Sequence, residues 1–264
     1  MCAACGRQLS LTAGTIFQDT RTPLTLWLRA IWWVTSQKNG TSALGLQRVL
    51  GLGSYRTAWT WLHKLRRAMV RPGRDRLTEA VEVDETFVGG VEPGGGKRHV
   101  GKKALVVVAA EGRGRAIGRI RLRRVADSSA ACVLPFVQDA VAPGAVVITD
   151  GLQSYRGLSG LGYRHDRRVV LGSGESADAL LPRVHRVASL LKRWLLGTHQ
   201  GAVSREHLDY YLDEFTFRFN RRTSRHRELL FSRLMEQAVA VDPLPYAAMV
   251  KGGRGRRKGG THAP

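Results

Sequence analysis

At Pro72-Gly73-Arg74 the hydrophobic period of this chain changes, and that change restricts its fold more than any other feature. Before the break, residues 23–38 set Leu24, Trp27, Leu28, Ile31, Trp32 and Val34 on one expected buried helical stripe, which Asn39-Gly40 stops. A second helical stretch covers 41–50. Gly51-Leu52-Gly53 then makes a turn, and Ser54 is the expected N-cap of a helix over 55–70. After the break the period becomes that of strands. Residues 80–88 alternate, 103–110 (KALVVVAA) form a continuous apolar run suited to a central strand, and 116–125 alternate again. Three strands in succession imply an antiparallel meander. A helix over 127–141, with Ser128 and Ser129 near its start, leads to a buried strand over 145–149 that runs into Asp150-Gly151. An irregular Gly-rich segment extends to about 176, followed by helices expected over 181–196 and 204–220.

Charge narrows the partner. Lys and Arg number 42 against 21 for Asp and Glu, a formal net charge of +21 and a pI near 11.1. Such a field attracts polyanions. The charge is spread along the chain without a long amphipathic basic helix, which favours nucleic acid over a membrane surface. No run approaches the ~20 apolar residues of a membrane span, and no signal peptide opens the sequence, so a cytoplasmic, nucleoid-associated protein is expected. Cys2, Cys5 and Cys132 cannot make a disulfide framework. Cys2-x-x-Cys5-Gly6 could supply half of a tetrahedral Zn²⁺ site, as in a zinc ribbon that is truncated or decayed. Residues 41–70 read as a helix-turn-helix. Its second helix would turn Arg56, Thr57, Thr60, His63, Lys64, Arg66 and Arg67 toward DNA and pack Ala58, Trp61, Leu62 and Leu65 inward. A plain helical bundle with a solvated basic face is the alternative.

Two carboxylates stand out. Asp84 sits within a strand among Val81, Val83 and Phe87, where a charge is costly unless paired or metal-bound. Asp150 directly follows an apolar strand, at the end where α/β sheets present functional groups. On adjacent central strands the two could share divalent cations, which suits phosphoryl transfer.

The strings VDETFVGG (83–90), ITDG (148–151), SLLKR (189–193), GTHQGAV (197–203) and YLDEFTFRFNRR (211–222) resemble, in order, the landmarks of bacterial insertion-sequence transposases with a DDE-type core. The nearest group is the one numbered fifteen ninety-five, also called ISXO-two-like. The resemblance covers nearly the whole chain. It implies an RNase H-like α/β catalytic domain, an order of elements that three strands, a helix, a strand and further helices also suggest. It also implies a two-metal Mg²⁺ or Mn²⁺ site, and cleavage followed by strand transfer without a covalent protein intermediate. Asp84 and Asp150 fall on the first two acidic ligands of the family. Aligning 189–193 on the similar family string puts His185, where most relatives have glutamate or asparagine, 35 positions after Asp150. Lys192 lands on the basic residue that follows the third ligand, seven residues on and on the same helix face. His185 could ligate metal, favouring Mn²⁺ relative to a carboxylate, or act as an acid, base or water-orienting group. Glu85, Glu175 or Asp178 is the other source of a third ligand.

The expected organisation is a zinc-ribbon remnant (1–20), a helical DNA-binding module (21–72), the catalytic domain (78–222), a C-terminal helical segment (223–250) and a disordered basic tail (251–264). Tyr210, Tyr211, Phe215, Phe217 and Phe219 are expected in the core. Arg193, Arg221 and Arg222 join Arg56, Lys64, Arg66 and Arg67 as expected DNA contacts. The partners expected are double-stranded DNA, as terminal inverted repeats and target, and a second copy on DNA. A catalytically inactive transposase that only binds DNA is the first rival. A helix-turn-helix regulator with a sensor domain is the second, and it leaves Asp84 and Asp150 without a role.

Overall fold

A computed structural model of the chain describes residues 4–6, 10–71, 73–89, 103–169, 176–201 and 203–250. It divides into two compact units, Met1–Arg71 with Ser224–Pro264, and Pro72–Thr223.

The first unit begins with α1 (Leu24–Ser36), entered from Pro23, which has no amide proton to leave unsatisfied. In α2 (Ala43–Leu50), the Ser42 hydroxyl accepts the Gly45 amide at 3.0 Å, and Gly51 ends the helix in the left-handed region at φ 63°. α3 (Tyr55–Ala68) starts after Ser54, which holds the N-cap backbone conformation but makes no side-chain cap bond, unlike the expected cap. Trp27 stacks on Trp61 with ring centroids 3.8 Å apart, and Phe17 meets Trp27 edge-on. The expected stripe on α1 is only half buried: Trp27, Ala30, Ile31 and Val34 are enclosed, while Leu24, Leu28 and Trp32 stay exposed. The core takes one side of α1, and the small Ala30 lets a neighbour approach there.

The second unit is built on a five-stranded sheet of β1 (Val81–Val88), β2 (Ala104–Arg113), β3 (Ala116–Val125), β4 (Val146–Thr149) and β5 (Arg164–Arg167). Its order is β3-β2-β1-β4-β5. The first three strands form the expected antiparallel meander, while β4 runs parallel to β1 and β5 parallel to β4. β2 is buried along almost its whole length because helices cover both faces of the sheet. On one face, α4 (Ala130–Ala140) packs Val133, Phe136 and Val137 against Val81, Val83, Val107 and Ala109. The other face lies beneath α6 (Pro182–His199), preceded by the short α5 (Ala177–Leu180), and α7 (Leu208–Asn220). This mixed three-layer α/β arrangement is the one expected for an RNase H-like core. The remaining helices, α8 (Arg227–Ala240) and α9 (Tyr246–Val250), belong to the first unit, where α8 packs on α1 and α3.

Some elements differ from expectation. α4 begins at Ala130 because Asp127 turns the chain, its carboxylate accepting the Ser129 amide at 2.8 Å. α7 begins at Leu208, after a turn in which the Ser204 hydroxyl bonds His207 Nδ1 at 2.8 Å. The segment read as irregular contains a 3-10 helix, Gln153–Leu161, and the edge strand β5. With the sequence RHDR, β5 has no apolar alternation to announce it. Among the described residues no helix is long and apolar enough to cross a membrane.

α6 is fixed to the sheet by Val184, Val187, Leu191 and Leu195, spaced to share one face. Burying each is worth ~1.5–3 kcal/mol. Leu191, with no exposed surface, is the central contact. Leu191→Ala is expected to cost ~2–5 kcal/mol, read as a lowered urea midpoint with an unchanged slope.

The string ending α7 serves the sheet. Asn220 Oδ1 accepts the Ile120 amide at 2.7 Å and its Nδ2 donates to the Ile120 carbonyl at 3.2 Å. Arg222 donates to the carbonyls of Ile117, Gly118 and Phe219, and its guanidinium lies over the Phe219 ring. Together they satisfy the open edge of β3, which would otherwise invite pairing with another chain. Tyr210, Tyr211, Phe215, Phe217 and Phe219 are buried, as expected of core residues.

Candidate active site

Strand alternation sorts the acids of β1. Val81 and Val83 face α4, so Glu82 and Asp84 face α6. Glu82 has no exposed surface. Its Oε2 accepts the amides of Arg183 at 2.6 Å and Val184 at 3.1 Å, and its Oε1 receives the Arg183 guanidinium at 2.7 Å. A carboxylate from the sheet therefore caps the first turn of α6, satisfying amides that the helix itself cannot. One residue further along α6, His185 faces Asp84, with Nε2 to Oδ2 at 3.5 Å. The other ring nitrogen, Nδ1, lies 3.0 Å from Asp178 Oδ1. With Nδ1 engaged by Asp178, Nε2 is the ring nitrogen turned toward Asp84, where a cation could meet it.

Asp150 is brought in by parallel pairing. Val81 pairs with Val147 and Glu82 with Ile148, so the same register carried two residues on sets Asp84 beside Asp150. Neighbouring strands lie ~4.8 Å apart. Asp150 Oδ1 accepts the Leu152 amide at 2.9 Å, which fixes the turn leaving β4. On the opposite face of β1, Glu85 accepts a short hydrogen bond from the Tyr155 hydroxyl, itself fully buried.

This crowding of acids is costly. Burial pushes the Asp84 carboxyl up to about 6, the charge of Asp150 pushes the same way, and the Glu85 amide and His185 oppose it. Burial also pushes Glu85 up to about 7 against the Tyr155 hydrogen bond, with Asp84 and Asp150 adding to the rise. The Tyr155 hydroxyl is raised far above its usual value by its own burial and by Glu85. Carboxylates held against desolvation and one another would be relieved by a divalent cation, so the donor chemistry fits one. Among the described residues, no three such groups converge closely enough to enclose a single ion.

Lys192 lies two turns along α6 from His185, away from the carboxylates. Desolvation holds its ammonium below the ordinary lysine value, and Lys103 nearby adds to that effect. Several expected DNA contacts are engaged within their own unit. Arg66 is among the largest fully buried side chains, and His63 is buried too, because α3 packs on more than one face. Lys64 donates to the Ile16 carbonyl at 2.9 Å and Arg67 to the Asp242 carbonyl at 3.2 Å. Arg221 lies over Phe217, and Arg222 is bound to β3. Arg193 is exposed, and exposed Arg56 lies over the Tyr246 ring. Cys5 is exposed, whereas Cys2, Glu175 and the tail 251–264 lie outside the described residues.

Glu82 is the residue that sequence reasoning missed. Its signal was present as a second acid two positions before Asp84 in VEVDET, on the same strand face. The Glu85–Tyr155 pair had no local signal, since it joins residues 70 apart.

A model of the family described as ISXO2-like transposase domain matches residues 76–220, more than half of the chain. No curated protein matches it. Among solved structures, the catalytic core domain of BIV integrase is similar at 16% identity and a TM-score of 0.32, over 51% of this chain and 80% of that one. The Mos1 strand transfer complex is similar at 14% identity and a TM-score of 0.33, over 84% of this chain and 78% of that one. A pre-cleavage Mos1 transpososome gives 15% and 0.32, over 84% and 80%.

Proposed function

Because the chain belongs to the ISXO2-like transposase family, we propose that it cuts the ends of a bacterial insertion sequence and joins them to target DNA, using Asp84, Asp150 and His185. The observation that carries this reading is the meeting of Asp84 and Asp150 on parallel strands, with His185 Nε2 3.5 Å from Asp84. In the first step water forms a bond to a phosphorus at the element end, and the bond to the 3′ oxygen breaks, leaving a 3′-OH and a 5′-phosphate. In the second that 3′-OH forms a bond to a target phosphorus and the target's own bond from that phosphorus to its 3′ oxygen breaks, releasing a target 3′-OH. A divalent ion, Mg²⁺ or Mn²⁺, held by Asp84 and Asp150 would neutralise phosphate charge and make the attacking oxygen more nucleophilic.

The protein residues act around that centre. Asp178 holds the His185 tautomer, and Glu82 fixes the turn of α6 that carries it. Lys192 and Arg193 offer charge to flanking phosphates. The first unit is proposed as the module that binds the terminal repeats through a helix-turn-helix, with the exposed Arg56 as a contact. Two copies acting on paired ends complete the reading. A chain that binds ends without cutting them is favoured by one observation, the absence among the described residues of three converging ligands.

The test is cleavage of a labelled duplex bearing the element's own end, in Mg²⁺ and in Mn²⁺. Asp150→Asn is expected to abolish cutting while leaving duplex affinity unchanged. His185→Ala is expected to lower the rate by ~10–100-fold, and His185→Glu to restore it with the preference moved from Mn²⁺ toward Mg²⁺. Unimpaired cutting by His185→Ala would remove His185 from the site, with Glu85→Gln the next variant to assay. Binding without cutting by the natural chain would leave the binding-only reading.

A further inference from the structure

α5 and α6 follow one another in sequence but do not form one helix. Pro182 has no amide proton, and the next two amides, of Arg183 and Val184, both donate to Glu82 on β1. In an unbroken helix the Val184 amide would instead close on the Leu180 carbonyl. α5 therefore ends at Leu180 with that carbonyl deprived of its helical donor. The donor comes from the sheet: Arg168 Nη1 lies 3.0 Å from the Leu180 oxygen.

β5 places Arg168 for this contact. The Arg168 amide donates to the Thr149 carbonyl at 2.8 Å, which carries the parallel pairing of β4 and β5 one residue further. Asp166 pairs with Ile148, whose side chain packs with those of α6, so Asp166 and, two residues on, Arg168 face that same side of the sheet. Nε and Nη2 of Arg168 each lie 3.2 Å from Asp166 Oδ2. A planar guanidinium gripped along one edge has a fixed orientation, and its third nitrogen is the one that meets Leu180.

The helix break brings a distant pair together. Asp178 on α5 and His185 on α6 are seven residues apart, ~10.5 Å along a continuous helix at ~1.5 Å per residue. Across the break, Asp178 Oδ1 and His185 Nδ1 stand 3.0 Å from one another. α5 has four residues, too few to hold its own conformation, and the Asp178 side chain is 83% exposed, so packing around the carboxylate does not fix it. Glu82 settles where α6 begins, and Arg168 settles where α5 ends. We propose that Arg168 is a positioning residue for His185: by holding the last carbonyl of α5 it sets Asp178 against Nδ1, and so keeps Nε2 turned toward Asp84. Arg168 touches neither DNA nor metal in this role. The proposal rests on the reading of His185 as part of the cleavage site and extends it.

The experiment uses the full chain with ¹⁵N-labelled histidine, free of divalent ions, and reads the His185 tautomer by NMR at about pH 8, the His185 signals being those lost in His185→Gln. The natural chain is expected to carry the proton on Nδ1 alone. Arg168→Met keeps the apolar stem but removes the donors, and is expected to give a mixture of tautomers. Asp166→Asn, which loosens the guanidinium from its other edge, should shift the signals the same way, and it carries the comparison if Arg168→Met fails to fold. Arg168→Lys still offers a donor to Leu180 and should keep most of the Nδ1–H form. In single-turnover cleavage Arg168→Met is expected to be roughly tenfold slower with duplex affinity unchanged. It should add nothing to the loss caused by Asp178→Asn, because both act through one carboxylate. A merely structural ion pair predicts a lower melting temperature with the tautomer unchanged. That result, a mixed tautomer already in the natural chain, or losses that multiply when Arg168→Met and Asp178→Asn are combined would overturn the proposal. Absence of metal-dependent nicking by the natural chain, with the tautomer shift intact, would count against the cleavage reading and leave the placement of Arg168 supported.

Discussion

Asp84→Asn is expected to lower strand cleavage by roughly a thousandfold and to raise the melting temperature of the protein. The two effects share one cause. Asp84 lies under α6 with its side chain 20% exposed, and burial lifts its carboxyl from 3.8 to about 6. A raised carboxyl pKa stabilises the fold below about pH 4, and that contribution disappears as the pH rises through about 6. At neutral pH the folded chain therefore carries the cost of a buried negative charge, at most ~3 kcal/mol for a shift of this size. Asparagine removes the charge but leaves an amide to bury, so a gain of ~1–2 kcal/mol is expected, or a few degrees. Cutting is lost because the carboxylate that destabilises the fold is the one expected to hold the catalytic ion, whose charge stabilisation is worth several kcal/mol. Calorimetry beside a nicking assay checks both halves; a variant that melts lower and cuts normally would contradict the assignment.

The same sign governs added metal. Glu85, pushed up to about 7, titrates with Asp84 between about pH 6 and 7. Saturating Mg²⁺ should accordingly raise the melting temperature more at about pH 8 than at about pH 5.5, where protons already neutralise the pair. An equal rise at both values would place ion binding elsewhere.

Glu82→Ala is expected to be the most destabilising single change on β1. It strands the Arg183 guanidinium, uncovers two amides at the start of α6 and opens a cavity beneath them. Removing one partner of a buried ion pair typically costs ~3–5 kcal/mol. Glu82→Gln keeps the shape and one acceptor, and separates scaffold from positioning. A purely structural role predicts a lower melting temperature with cleavage per folded molecule unchanged. A positioning role predicts in addition a ~10–100-fold slower single-turnover rate with duplex affinity retained, because His185 sits one residue beyond the capped turn.

Local sequence carried much of the organisation. The period change at Pro72-Gly73-Arg74 separates helices from strands, and the apolar runs of β2 and β4 identify the sheet centre because buried strands need no polar face. Asp84 was legible as a charge in an apolar strand, and Asp150 as the residue at a strand end. β5 was not legible, since a four-residue polar edge strand has no period of its own. The face of α3 was misread at His63 and Arg66 because helical period locates one buried stripe but not a second neighbour.

The chain's own order of residues thus determined β1 to β4, its principal helices and the places of the two aspartates, all of which follow from spacing within a few turns or pleats. Only the tertiary structure decided which acids meet. The parallel register of β1 and β4 sets Asp84 beside Asp150, Glu82 reaches 101 residues to Arg183, and that capped turn brings His185 to Asp84. The same packing made Asn220 and Arg222, the latter expected on DNA, the cover of a sheet edge. A side chain's partner depends on which elements pack together, and the energy of that packing comes from apolar faces that are blind to the charges they bring into contact.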